Sequence, residues 1–126
     1  MEKLIDKSLA ELDDAAELTA QCKLVLDHFK AADIVAIPLG ENSSLTSCMV
    51  ICSGSSRTQV SALADKLEEQ LRLTGLRNIT VSGAAIGEWA IVDAGEVMVH
   101  IMQPHIRELY RLEELYRLMG AGTEAA

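Results

Sequence analysis

Ser53-Gly54-Ser55-Ser56-Arg57 has more capacity for chemistry than any other stretch of this chain. It lies between an apolar run and a helical pattern, so its backbone amides could cradle an anion at a helix N-terminus. It has no lysine in the P-loop position and is too short for G-x-x-x-x-G-K-S/T. The plainer reading is a turn made by Gly54 and a helix cap from Ser55 or Ser56. Phosphoryl transfer through two metal ions would need paired carboxylates on the next strand. That strand, expected at Asn78 to Ser82, has none. Asp93 and Glu96 flank a turn, where aspartate is commonly a backbone acceptor. Neither catalytic residues, nor a metal, nor a cofactor is expected.

His100 stands between Met98 and Met102. Alternation along a strand puts Val97, Val99 and Ile101 on the core face and Met98, His100 and Met102 on the other. Two methionines and a histidine could hold Cu(I), but no cysteine or carboxylate is within reach along the strand. The competing readings are a histidine hydrogen-bonded inside the fold, or one contributing to an adaptable methionine-rich interface. Cys48 and Cys52 share a strand face too far apart for a disulfide and read as small buried apolar groups. Trp89, the single tryptophan, is either core or an interface anchor. Arg107, Tyr110, Leu112 and Tyr116 either clamp the sheet edge, with Arg107 paired to an acid, or face a partner.

These residues need elements to position them. Residues 1–14 form a leader with loose apolar spacing (Ile5, Leu9, Leu12) and no cap at its start, helical and frayed or else disordered. A domain at 15–119 follows, then a mobile tail at 120–126. Leu18, Cys22, Val25, Leu26 and Phe29 fall on one helical face between Ala15 and Ala31, with Asp13 or Asp14 as N-cap. Asp33 to Leu39 is a strand closed by Pro38, Gly40 and Asn42, and Cys48 to Cys52 is a second. Val60, Leu63, Ala64, Leu67 and Leu71 mark the buried stripe of a second long helix, which Gly75 closes. Asn78 to Ser82 is a short strand, and Trp89 to Met102 a hairpin. Its turn is expected to be a type I pair, Asp93-Ala94, followed by Gly95 at positive φ. Pro104 takes the first position of a helix, leading into one short helical segment from Arg107 to Met119. The whole is a single α/β (mixed α+β) domain, a mixed sheet of about five strands with two long helices and a short C-terminal one. Two long helices cover about one face of such a sheet, so the other should be open to a second molecule.

Composition narrows the partners. At 126 residues one core suffices. No apolar run approaches the ~20 residues of a membrane span, and the start lacks the apolar stretch of a secretory signal. Three cysteines without a Cys-x-x-Cys pair argue against a disulfide framework, and a cytoplasmic protein is expected. A net charge of −8 without a lysine and arginine stripe argues against direct nucleic-acid binding and favours a basic protein partner.

Trp89, Asp93, Gly95, Glu96, Val99 and His100, then Arg107, Tyr110, Leu112, Glu113 and Leu115, reproduce an ordered pattern. It resembles the W-x-x-x-D-x-G-D/E-x-x-V-H hairpin and the R-x-x-Y-x-L-E-x-L segment of the bacterial ribosomal silencing factor, or Iojap, family. Three positions depart from that family's usual sequence. Ser47 stands where an aspartate is usual, Arg57 comes one place early, and Tyr116 replaces a frequent tryptophan. The resemblance implies a nucleotidyltransferase-like topology and a non-enzymatic function. The protein would bind large-subunit ribosomal protein fourteen where it meets the small subunit, and sterically block subunit joining. It also implies a homodimer in the free state. The partner contact is expected at Trp89, Met102, Tyr110 and Leu112 as apolar anchors, with Glu88, Glu96, Arg107 and Glu113 around them. Two alternatives stay open: a nucleotide-transfer enzyme or nucleotide-binding protein using the Gly54 turn, and a purely structural homodimer on the same face.

Overall fold

A computed structural model describes the backbone of residues 2–40 and 46–125, with side chains to Leu118. Asn42, and the side chains of the expected tail, lie outside the described residues. The elements run α1 (Leu9–Leu12), α2 (Ala15–His28), β1 (Ala32–Pro38), β2 (Cys48–Ser53), α3 (Arg57–Leu73), β3 (Thr80–Ser82), β4 (Trp89–Asp93), β5 (Val97–Met102), α4 (Pro104–Tyr110) and α5 (Leu112–Ala125). The five strands form one mixed sheet in the order β1-β2-β5-β4-β3. Only β2 and β5 are parallel; the other neighbours are antiparallel. The expected mixed α/β class is therefore the one found.

Local chemistry accounts for the helices of the first face. Asp14 caps α2 by accepting from the Ala16 N–H, and Ser56 caps α3 by accepting from the Gln59 N–H. The stripes Leu18, Cys22, Val25, Leu26 and Val60, Leu63, Ala64, Leu67, Leu71 then turn onto the sheet. There they meet Cys48, Val50 and Cys52 of β2 and Val97, Val99 and Ile101 of β5. The leader joins the same core. Ile5 and Leu12 are buried, and Gln70, itself buried, accepts from the Leu4 N–H and donates to the Glu2 carbonyl. Contrary to the sequence reading, α1 does have a cap: Ser8 and Glu11 form a reciprocal capping box.

Three further features differ from expectation. The hairpin closes at Ala94 and Val97, and of its two connecting residues Gly95 alone has positive φ, at 85°. Glycine in the first of two connecting positions is the type II′ arrangement, its central pair Gly95-Glu96 two residues later than a type I pair at Asp93-Ala94. Asp93 is nonetheless a backbone acceptor, taking the Gly95 N–H at 2.9 Å. Secondly, the C-terminal segment is two helices. Arg111 adopts a left-handed conformation, φ 48°, and breaks the chain between α4 and α5. Thirdly, that break lets both helices lie over the second face, where Ile106, Leu112 and Tyr116 pack on Ile37, Met49, Ile51 and Met102. This face is therefore largely covered from within the chain. On α4 and α5 the apolar groups left in water are Leu109, Tyr110, Leu115 and Leu118, while Leu9, Leu24, Leu73 and Ile86 are exposed elsewhere.

Gly54 sets the distance between β2 and α3. A Cβ there would lie 2.8 Å from Val60 Cγ2 and 3.1 Å from the Val60 nitrogen, which is backbone and cannot swing aside. Gly54→Ala should cost about 1–3 kcal/mol by forcing α3 off the sheet. Urea unfolding measures this, and an unchanged midpoint would show that the junction has slack.

Candidate functional site

The site is built where β4 starts, β5 ends and α4 begins. Gly83 and Gly87 shape the approach: a Cβ on Gly83 would lie 2.1 Å from the Trp89 carbonyl oxygen, and one on Gly87 2.5 Å from that of Arg57. Both have positive φ, so this loop accepts no ordinary side chain at either position. Trp89 pairs with Met102 across the hairpin, and Ile91 with His100. His100 is therefore the diagonal neighbour of Trp89 on one face. Trp89 Nε1 donates to His100 Nδ1 at 2.9 Å. On its other side the indole meets Tyr110 of α4, ring centroids 4.9 Å apart and tilted by 49°.

His100 is only 3% exposed, and its Nε2 has no hydrogen-bond partner. With Nδ1 accepting from the indole, the proton of the neutral ring sits on Nε2. A buried donor without an acceptor typically costs about 1–3 kcal/mol. Burial alone lowers the imidazole from 6.5 to about 4. The thiols of Cys22 and Cys52 are pushed up to about 12, chiefly by burial, which makes them inert packing groups.

Arg107 pins the cover down. Its Nη1 donates to Ser53 Oγ at 2.9 Å at the end of β2, and its Nε donates to the Glu113 carboxylate on α5. This arginine hydrogen bond holds the Glu113 carboxyl below its usual range. A groove of about 520 Å³ beside it is lined by four carboxylates (Asp33, Glu108, Glu113, Glu114) and three guanidiniums (Arg107, Arg111, Arg117). The two signs nearly cancel, so the groove offers no concentrated field for an anion.

The expected contact residues are thus partly brought together. Glu88, Trp89, Met102 and Tyr110 converge, with Met102 fully buried at the position paired with Trp89. Arg107, Leu112 and Glu113 form the corner between α4 and α5. Glu96 stands at the far end of the hairpin, where it accepts from the Ser47 hydroxyl. Glu88 pairs with the exposed Arg57 at 3.2 Å. The sequence reading missed the particular tie between His100 and Trp89. Counting pairs back from the turn finds it only with the observed closure at Ala94 and Val97, not with the turn expected over Asp93-Ala94-Gly95.

At the Gly54 turn, Ser56 caps α3, while the Ser55 N–H and hydroxyl both donate to Gln59 Oε1. The Gly54 and Ser55 amides and both serine hydroxyls of this turn are therefore already partnered within the chain. Among the described residues no three His, Cys, Asp or Glu side chains are grouped to hold a metal ion, and no helix is long and apolar enough to cross a membrane.

The model of the family described as "Ribosomal silencing factor during starvation" matches residues 12–125. The chain belongs to this ribosomal silencing factor family. A ribosomal silencing factor from Haemophilus influenzae is 42% identical over 91 residues, covering 72% of this chain and 89% of that protein. A crystal structure from Chromobacterium violaceum superposes with a TM-score of 0.78 at 34% identity, covering 82% of this chain and 86% of the other. One from Bacillus halodurans gives 0.71 at 31%, covering 79% and 93%. About four fifths of this chain thus superposes on solved structures, and the family match takes in β4, β5, α4 and α5, which build the aromatic site.

His100 makes this family member's stability depend on pH. Between about pH 6.5 and 4 the unfolded chain binds a proton that the folded chain refuses. The contribution is complete above 6.5 and is lost as the pH falls toward 4, by at most about 1.4 kcal/mol per pH unit. His100→Leu should therefore gain on the wild type in melting temperature as the pH drops through this window. A difference between the two that stays constant from pH 7 to 4.5 would mean that the ring ionises as it does in water.

Proposed function

We propose that this chain silences ribosomes as a non-enzymatic blocker. It would seat on large-subunit ribosomal protein fourteen, at the surface that meets the small subunit, and prevent the subunits from joining by occupying the space. The observation that carries this reading is the Trp89–Tyr110 pair, a half-buried indole packed at a tilt against a ring that is 54% exposed. Aromatic groups anchored from below and open above are typical of binding hot spots. Exposed Leu109 extends the apolar strip. Glu88 and Glu113 stand nearby, and with a net charge of −8 they suit a basic protein better than RNA. Blocking needs no catalytic group, and the internally partnered Gly54 turn is consistent with that. The work would be done in the cytoplasm, where the subunits meet.

Sedimentation of lysate on a sucrose gradient tests the reading. Wild-type protein should travel with large subunits, and Tyr110→Ala should move to the top of the gradient while keeping its melting temperature. Wild-type protein recovered only at the top would refute the function. Co-sedimentation of a folded Tyr110→Ala, Trp89→Ala double variant would place the contact elsewhere.

The free protein is proposed to form a homodimer, because Leu109, Leu115 and Leu118 would otherwise remain in water on one outer surface. Light scattering should give twice the mass of the 126-residue chain. A monomer at every concentration up to the solubility limit would remove the claim.

A further inference from the structure

Three rings run from the core to the surface: His100 at 3% exposure, Trp89 half-buried, and Tyr110 at 54%. The indole sits between the other two, with centroids 5.8 Å from the imidazole and 4.9 Å from the phenol. His100 is fixed more firmly than either outer ring. It lies in β5, paired with Ile51 of β2 on one side and Ile91 of β4 on the other. Its one side-chain hydrogen bond among the described residues is the one it accepts from Trp89. Its second nitrogen is buried without a partner.

That combination is a poor choice for stability. An apolar residue of similar volume would fill the same space beside Met98 and Met102 without stranding a polar atom. What histidine adds is an acceptor on a rigid strand, at the place where an indole N–H arrives. An indole turns about two bonds. Tying its N–H to a fixed point stops the ring from turning, and Tyr110 packs against that ring at a tilt of 49°. The distal end of the contact surface is thus set from inside the sheet.

We propose that His100 is a positioning residue for partner binding: through Nδ1 it locks the orientation of Trp89 and, through Trp89, of Tyr110. The inference rests on the aromatic pair being the ribosomal contact, and it has one readout that does not need the partner. Trp89 is the single tryptophan, so its emission and anisotropy report on this ring alone.

Full-length His100→Leu and His100→Asn are compared with wild type at pH 7.5. Asparagine can put an oxygen near the place of Nδ1, whereas leucine fills the space without an acceptor. In free His100→Leu, emission should shift to the red and anisotropy should fall, while the melting temperature is kept or raised. Its dissociation constant for isolated large-subunit ribosomal protein fourteen should rise about tenfold. His100→Asn should recover most of both signals. In a Trp89→Phe background, His100→Leu should add no further loss of binding. Wild-type emission from folded His100→Leu overturns the proposal. So does full binding by that variant, or an additive loss in the Trp89→Phe background. Should His100→Leu fail to fold, the asparagine variant decides: loss of the Trp89 signal in a folded His100→Asn protein overturns it. If the wild type does not bind the ribosomal protein at all, the choice of partner fails, and the emission data on the free variants still decide whether His100 holds Trp89.

Discussion

The parallel pairing of β2 with β5 is the constraint on which the rest of this molecule depends. Cys48 to Ser53 lie beside Val97 to Met102 in unbroken register, and almost every side chain of both strands is buried. Two adjacent parallel strands cannot be joined by a tight turn, so the chain must make a long excursion between them. That excursion supplies α3, β3 and β4. Being buried on both faces, the pair also demands a layer on each side. The chain leaves β2 for α3 on one face and leaves β5 for α4 on the other, so the layers part at Ser53 and Met102. Arg107 bridges this gap by donating to Ser53. The tryptophan, the tyrosine and the arginine pin all stand at the one end of the sheet where the connectivity forces the layers to diverge.

Much of the fold was readable from side-chain chemistry that acts over a few residues. Asp14 and Ser56 as caps, the two helical stripes, Pro104 at a helix start and the strand runs all express local rules, and these elements are found. The break at Arg111 was not readable, because a left-handed arginine has no compositional signature comparable to glycine. Missing it turned two covering helices into one short one and left a face apparently bare. The leader's cap, Ser8, escapes its loose apolar spacing, and its tie to α3 runs through Gln70, more than sixty residues away, which periodicity cannot register. Alternation correctly sorted β5 into its two faces but said nothing about which strand lies alongside it.

The aromatic site was legible by type and less so by arrangement. Tryptophan and tyrosine announce themselves, whereas the tie from His100 to Trp89 depends on register, and register depends on the turn. One residue of slip in a hairpin exchanges the faces of a strand. A three-residue turn over Asp93-Ala94-Gly95 would set Trp89 opposite Val99 and so hide the diagonal between Trp89 and His100 that closure at Ala94 and Val97 creates. Glu96 and Trp89 are close in sequence but not in space. An extended strand advances roughly 3.4 Å per residue, so the turn at Glu96 stands a whole strand length from the aromatic pair.

The two faces of the sheet are not held in the same way. Beneath α2 and α3 the contacts are mainly aliphatic and cysteine side chains, with the Cys22 and Cys52 thiols kept neutral chiefly by burial. Beneath α4 and α5 three methionines and a tryptophan share the space with His100, and the guanidinium of Arg107 is nearly withdrawn from water at its edge. Methionine re-packs easily, and a buried ion pair recovers little more than its own desolvation. Polar groups on this side therefore contribute direction more than stability: Arg107 sets where α5 starts, and His100 sets where the indole points. Regions that trade packing for orientation sit at the less stable end of a fold. A surface that must meet another molecule in one geometry is well served by such a layer, provided that the sheet below it does not move. The doubly buried β2 and β5 supply that footing.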